Sequence, residues 1–260
     1  MIARLSIVKP MRQAAVLAHL RAHGLTSVDD LAARLGASHA TIRRDLHELE
    51  CAGQVLRVHG GASLPPDVDS DEPVPFERVA THEQRHKEAI AARAARLVVD
   101  GDVVLLDIGT TTMLLARELR GRHITVVTSS LAVLDELRHD RHVELILLGG
   151  IVRRTYHSLV GVLTEDTLRQ VRVTRAFLGT SGITAAGDVL DTTLVEVPVK
   201  RAMIASAEHV VLLADHTKLP GHGTLRVCGA GDIRTLVTDD RADPQICSAL
   251  AELGTEVITA

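Results

Sequence analysis

One pattern narrows the fold of this chain more than any other: short runs of Val, Leu and Ile, apolar at nearly every position, each ending in a small-residue or polar loop. They fall at residues 103–107, 124–128, 143–148, 176–179, 210–214 and 235–238. A strand with one wet face alternates apolar and polar residues, so a run without alternation belongs to a strand covered on both faces. Helical patterns accompany several of the runs, at 83–99, 113–119 and 131–138. Strands alternating with helices build a mostly parallel sheet between helical layers, which makes the expected class of this larger part α/β.

The first eighty residues follow a different rule. Pro65, Pro66, Pro73 and Pro75 are interleaved with Asp67, Asp69, Asp71 and Glu72, a composition that cannot sustain a helix and has little to bury. Residues 63–82 are therefore read as a linker between a small domain, 1–62, and a large one, 83–260. The small domain shows helical patterns at 11–23, 27–34 and 38–52, with Val16, Leu17 and Leu20, then Ile42, Leu46 and Leu49, at helical spacing. Ser27 and Ser38 stand where N-caps are expected. The net charge of −4 divides unevenly: residues 1–62 carry eight Lys or Arg against five carboxylates, a net +3, which leaves −7 for the remainder. Such asymmetry suits a module that reads nucleic acid, joined to a body that nucleic acid repels.

Between Leu31 and Leu46 two helical patterns meet at Gly36, the layout of a helix-turn-helix. With Ile42, Leu46 and Leu49 facing inward, Ser38, His39, Ala40, Thr41, Arg43 and Arg44 are left at the outward start of the second helix. Arginine suits that place because its planar fork engages guanine or phosphate with two donors. Residues 54–61 read as a two-stranded wing, which sets Arg57 and His59 beside the phosphate backbone. One such module reads a short site, so a homodimer or homotetramer is expected.

These residues also carry a resemblance. Thr41-Ile-Arg-Arg-Asp-Leu-His-Glu-Leu-Glu50, followed by Arg57-Val-His-Gly-Gly-Ala62, is similar to the signature of the DeoR family of bacterial transcription regulators. The similarity continues at residues 87–91, 107–112, 148–150, 177–179, 196–200 and 215–218, and departs at Ser129, where the family more often has Asn. It implies a winged helix-turn-helix followed by a sensor domain of the sugar-phosphate isomerase and CoA-transferase fold. It also implies a cytoplasmic regulator, usually a repressor of carbohydrate metabolism genes, whose hold on double-stranded operator DNA is controlled by a phosphorylated sugar.

The loop Asp107-Ile-Gly109-Thr110-Thr111-Thr112 stands between an apolar run and a helix. Glycine permits close backbone approach, hydroxyls donate, and free amides at a helix start favour an anion, so this loop is the expected phosphate cradle. Other loops at strand ends should converge on it, since open α/β sheets bind ligands at that edge. They supply Ser129 and Ser130, then Gly149, Gly150 and Arg153, then residues 179–182, then Asp215 and Lys218. Arg153 and Lys218 are expected to meet phosphate; Asp107, Glu196 and Asp215 are expected to accept from sugar hydroxyls, with Glu196 and Lys218 also standing at positions of the family's motifs.

Several classes are disfavoured. Cys51, Cys228 and Cys247 are too far apart for a CxxC redox or zinc motif, and the fourteen histidines form no HExxH-type pattern, so no metal and no cofactor is expected. No run approaches the roughly 18–20 apolar residues of a membrane span, and residues 1–13 lack a signal-peptide core. The alternative is a sugar-phosphate isomerase-like enzyme. Against it, the loop 179–182 holds no carboxylate and residues 183–199 hold no lysine, whereas proton transfer needs a titratable group in reach of the carbon acid.

Overall fold

The computed structural model describes residues 9–23, 26–51, 55–58, 60–63 and 76–260. The chain divides into two compact units, residues 1–72 and 73–260.

In the first unit, α1 (Lys9–His23), β1 (Thr26–Ser27), α2 (Val28–Leu35) and α3 (His39–Cys51) precede a pair of strands, β2 (Leu56–Val58) and β3 (Gly61–Ser63). The apolar spacing seen in the sequence becomes the core: Val16, Leu20, Leu31, Ile42 and Leu46 are all buried. Ser27 caps α2 by accepting from the amide of Asp30 at 3.0 Å, and Gly36, at φ 61, ends it in the left-handed region that glycine enters without steric cost. The wing joins β1 in a three-stranded antiparallel sheet, order β1-β3-β2. Its second strand occupies residues 61–63, later than the expected 54–61, because Gly61 must lie against Thr26, where an added Cβ would stand 2.4 Å from the Thr26 carbonyl oxygen.

The second unit begins inside the expected linker. Residues 76–81 form a helix, α4 (Phe76–Thr81), because Phe76 has something to bury: its ring meets Tyr156 edge-on at 5.8 Å and stacks on His157 at 5.3 Å. Then follow α5 (Gln84–Ala95), β4 (Val103–Leu106), α6 (Thr110–Glu118), β5 (Thr125–Thr128), α7 (Leu131–Leu137), β6 (Glu144–Leu147), β7 (Ile151–Arg153), β8 (Ser158–Val160), α8 (Val162–Gln170) and β9 (Val173–Gly179). The chain goes on through β10 (Gly182–Ile183), β11 (Val189–Asp191), α9 (Val197–Ser206), β12 (Ala207–Leu213), β13 (Leu225–Cys228), β14 (Thr235–Thr238), α10 (Pro244–Glu252) and β15 (Glu256–Thr259).

Seven of these strands form one fully parallel sheet, in the order β15-β14-β12-β9-β4-β5-β6. Its two faces read directly from the alternation along each strand. Leu105, Val127, Ala176, Leu178, Leu212 and Leu236 enter one buried cluster, while Val104, Leu106, Val126, Phe177, Val211 and Val237 enter the other. Winding starts at β4, proceeds outward through β5 and β6, then returns to β9 on the other side and proceeds through β12, β14 and β15. The carboxyl ends of β4 and β9 are therefore the topological switch point, the edge at which such sheets accommodate ligands. A small antiparallel sheet, β10-β11-β13, and the hairpin β7-β8 stand apart from the large sheet.

Candidate functional site

In α3 the burial of Ile42, Leu46 and Leu49 against α1 and α2 fixes the rotation of the helix. Ser38, His39, Ala40, Arg43 and Arg44 are consequently exposed, and Thr41 is half-buried. Ser38 Oγ accepts from the Thr41 amide at 3.2 Å and shares a 2.8 Å hydrogen bond with its hydroxyl, which caps the helix. His39 Nε2 lies 3.3 Å from Asp29. Among the described residues Arg43 and Arg44 make no ion pair, and the charge of Arg44 only adds to the lowering of the Glu48 carboxyl that Lys9 dominates. Asp45, on the inward face, is buried and takes two bonds from Arg12, at 2.5 and 3.2 Å, which tie α3 to α1. Arg57 stands in β2 opposite Ala62, and His59 lies outside the described residues.

A second constellation occupies the switch point of the parallel sheet. Asp107 follows β4 and is buried; its Oδ2 accepts from the Gly179 amide at 3.0 Å and from the ammonium of Lys200. Lys200 also donates to the Gly179 carbonyl at 2.9 Å and lies 3.7 Å from Asp191. Burial pushes the Asp107 carboxyl above its ordinary value, opposed by Lys200 and the Gly179 amide. For Lys200 burial disfavours the charge, but Asp107, Asp191 and Glu196 outweigh it and hold the ammonium above its usual range. Glu196, one helical turn before Lys200, pairs with Arg153, whose guanidinium also lies 5.6 Å from the centre of the Tyr156 ring. Burial and Asp191 push the Glu196 carboxyl up to about 7, against Lys200 and Arg153.

Beside this network α6 starts at Thr110. Gly109 precedes it at φ 136, ψ 170, a conformation open essentially to glycine alone, and contributes no side-chain cap. The first amides of α6 thus lack intrahelical acceptors. Asp107 Oδ1, Ser129 Oγ and Ser158 Oγ are buried without a hydrogen-bond partner among the described residues. These atoms sit at neighbouring places: Asp107 follows β4, Ser129 follows the adjacent β5, and Ser158 opposes Ser130 through a bridge.

The structure gives several of the expected ligand residues other employment. Arg153 and Glu196 hold each other. Asp215 accepts from the amide of Thr217 at 3.0 Å and from its hydroxyl, closing a short turn over residues 216–218. The Thr112 hydroxyl donates to the carbonyls of Asp107, at 2.7 Å, and Gly109, at 3.0 Å, and Ser130 Oγ caps α7. Gly150 packs where a Cβ would meet Thr164 Oγ1 at 2.2 Å, and Gly149 accepts from that same hydroxyl at 2.6 Å. Thr110 is buried, Thr111 is half-buried, and Lys218, half-buried beyond β12, donates its amide to the Asp215 carbonyl at 2.9 Å while its ammonium makes no hydrogen bond or ion pair among the described residues.

Two residues escaped the sequence reading. Asp191 and Lys200 complete the charge network, and Lys200 begins one position after the segment searched for a lysine. The lysine missing from residues 183–199 thus stands at the next position, and the site holds one after all. The spacing of Glu196 and Lys200, four apart and on one helical face, was the signal that could have found it.

Comparison with known proteins bears on both units. Residues 12–67 match the DeoR-like helix-turn-helix domain, and residues 82–240 match the DeoR C terminal sensor domain. The chain belongs to the DeoR family of transcription regulators. Relatives span nearly its whole length: the HTH-type transcriptional regulator GolR of Listeria innocua is 32% identical over 95% of this chain and 96% of its own. The glycerol-3-phosphate regulon repressor of Escherichia coli is 31% identical over 88% of this chain and 90% of its own, and the HTH-type transcriptional repressor GlcR of Bacillus subtilis is 31% identical over 95% of each. A ribose 5-phosphate isomerase A from Methanocaldococcus jannaschii aligns at 19% identity and a TM-score of 0.39, covering 52% of this chain and 54% of that one, a likeness too slight to carry an argument. As a DeoR-family member the chain is a DNA-binding regulator and not an enzyme, despite its buried acids and lysine. Among the described residues no helix is long and apolar enough to cross a membrane.

Proposed function

We propose that this DeoR-family regulator is a repressor of carbohydrate or polyol metabolism genes, that α3 reads its operator, and that a phosphorylated sugar or polyol held at the switch point of the parallel sheet sets its affinity for DNA. The observation that carries the effector reading is the pairing of free amides at the start of α6 with the unsatisfied Asp107 Oδ1 and Ser129 Oγ beside them. Orphaned buried polar atoms cost about 1–3 kcal/mol each, so a site that keeps them is stabilised by a ligand whose hydroxyls supply the missing bonds. The amides suit the phosphate end of that ligand and the carboxylate and hydroxyl its polyol end. Lys218, whose ammonium makes no ion pair among the described residues, is the cation assigned to the phosphate. The names of the relatives, among them a glycerol-3-phosphate regulon repressor, favour the same chemistry.

The regulator works as a homo-oligomer in this proposal. Ile151 and Val152 on the β7-β8 hairpin and Val162 and Leu163 at the start of α8 are exposed large apolar residues, and Ile151 packs beside Gly161. Four exposed large apolar side chains within one hairpin and the helix start that follows it support this reading. Sedimentation showing a monomer at working concentration would remove that element.

The effector reading is tested by thermal melts of the full chain against matched pairs of phosphorylated and free sugars and polyols. A bound ligand raises the midpoint according to RT ln(1 + [L]/Kd). The expected result is a shift with at least one phosphorylated compound and none with its free counterpart; equal response within every pair contradicts the phosphate assignment.

A further inference from the structure

Away from the Asp107 and Lys200 pair, the start of α5 and the loops after β12 and β14 bring together two histidines and three carboxylates. Glu83, His86 and His216 each place a donor atom within 4.8 Å of the others, and His86, Asp239 and Asp240 do the same. His86 Nδ1 stands 2.8 Å from Glu83 Oε2. It is nevertheless buried and aligned for a hydrogen bond with no described group, the relation expected of two donors that face a common third partner. The rings of His86 and His216 meet edge-on, 5.0 Å apart and 72° inclined.

The surroundings orient these donors. Asp239 lies 3.1 and 3.2 Å from His216 Nδ1 through its two oxygens, and it accepts from the amides of His216 at 2.7 Å and Arg241 at 2.9 Å. A carboxylate that grips one imidazole nitrogen fixes the ring and leaves Nε2 for another partner, the usual arrangement behind a metal-binding histidine. Glu83 sits at φ 52, in the left-handed region that residues with a side chain seldom adopt, immediately before α5. Strain of that kind gathers at ligand sites.

We propose that Glu83, His86 and His216 bind one divalent cation of the Zn²⁺ type, with Asp239 orienting His216 and Asp240 at the rim. Two imidazole nitrogens and a carboxylate suit zinc and its transition-metal neighbours, whereas magnesium and calcium favour all-oxygen sets. Three protein donors leave a coordination position for water. Because His216 lies between Asp215 and Lys218, an occupied site clamps the 216–218 turn to the start of α5. The sequence does not display this site, since its donors come from three distant segments and match no short motif.

The test uses metal-free full-length protein titrated with ZnCl₂, and with CoCl₂ followed by visible absorption. The expected result is one tight equivalent per chain with ligand-field bands, uncompeted by MgCl₂. His86→Ala and His216→Ala should each lower affinity at least about 100-fold, and Asp239→Asn about 10- to 100-fold. The double variant His123→Ala, His142→Ala, which removes another pair of facing rings 5.1 Å apart, should bind like wild type. A measurement on the unaltered protein guards against variants that fail to fold: Zn²⁺ should protect His86 and His216, mapped by mass spectrometry, from carbethoxylation. The proposal is overturned if wild type shows no tight equivalent, if the His86→Ala and His216→Ala variants bind as wild type does, or if Zn²⁺ protects other histidines and leaves these two reactive.

Discussion

The exposed face of α3 and the switch point of the parallel sheet both concentrate charge, and they handle it in opposite ways. On α3, Arg43 and Arg44 project into water and make no ion pair among the described residues, while the one buried acid nearby, Asp45, is held by Arg12. At the switch point Asp107, Lys200, Glu196 and Arg153 are largely withdrawn from water and committed to one another. The contrast fits the proposed partners. A polyanion such as DNA is met by free cations that displace its counterions, so pairing them in advance would waste the attraction. A small polar ligand needs fixed donors and acceptors in a dry site, which a mutually neutralising network provides without leaving a bare buried charge.

The comparison breaks hardest at Lys200. Lys200→Met leaves Asp107 and Asp191 buried without their cation, and chemical denaturation should show a loss of about 3–5 kcal/mol, largely recovered in the double variant with Asp107→Asn. A small loss would mean that the pair is wetter than its burial indicates. The double variant Arg43→Ala, Arg44→Ala should move stability by no more than about 0.5 kcal/mol, yet weaken operator binding about 10- to 100-fold and flatten its dependence on salt. Unchanged operator affinity in that folded variant would dismiss α3 as the reading helix.

Gly109→Ala forces a Cβ onto φ 136, although space exists, with Thr112 Oγ1 at 3.8 Å the nearest atom among the described residues beyond its chain neighbours. A strain of about 1–3 kcal/mol is expected in the melt, together with weaker phosphate binding. The finest effect concerns pH. Burial and Asp191 push the Glu196 carboxyl up to about 7 in the folded chain against 4.5 for an ordinary glutamate, so the folded state binds its proton more tightly. Its contribution is complete below pH 4.5 and is lost as pH rises towards 7, and the raised Asp107 acts with the same sign. Glu48, Glu136 and Asp140, whose values are lowered, act at more acid pH. Stability measured across pH 4.5 to 7 should therefore decline, and Glu196→Gln should flatten the decline.

What could be read from the sequence depended on how local the signal was. Ser27, Gly36 and the Ile42, Leu46 and Leu49 face predict their helices from neighbours a turn away, and the structure keeps them. The continuous apolar runs announced six of the seven parallel strands. β15 was missed because its apolar run is only Val257 and Ile258, between Glu256 and Thr259; β6, the other edge strand, carries the run Leu145 to Leu147 although it is exposed and not covered on both faces. Phe76 became part of the second unit because its ring finds Tyr156 and His157, contacts that proline and acid content cannot report. At the switch point the strand-end loops were legible from chain order, whereas the partnership of Asp107 with Lys200 arises only when α9 folds back over β9. Arg153 follows the same rule: its charge is visible in sequence, whereas its ion pair with Glu196, 43 residues away, is not.

We infer that DNA reading and effector sensing occupy separate surfaces of one chain. The decisive test holds the protein on operator DNA and titrates it with the phosphorylated compound that stabilises it, beside a folded Thr110→Val, Thr111→Val, Lys218→Ala variant. An effector acts only through its different affinity for the two states of the regulator, so a pocket that cannot hold it transmits nothing. The variant should bind operator as wild type does without ligand and show a response midpoint displaced by about 100-fold or more, or no response at all. A variant that responds at the wild-type midpoint would place the effector elsewhere and contradict the account.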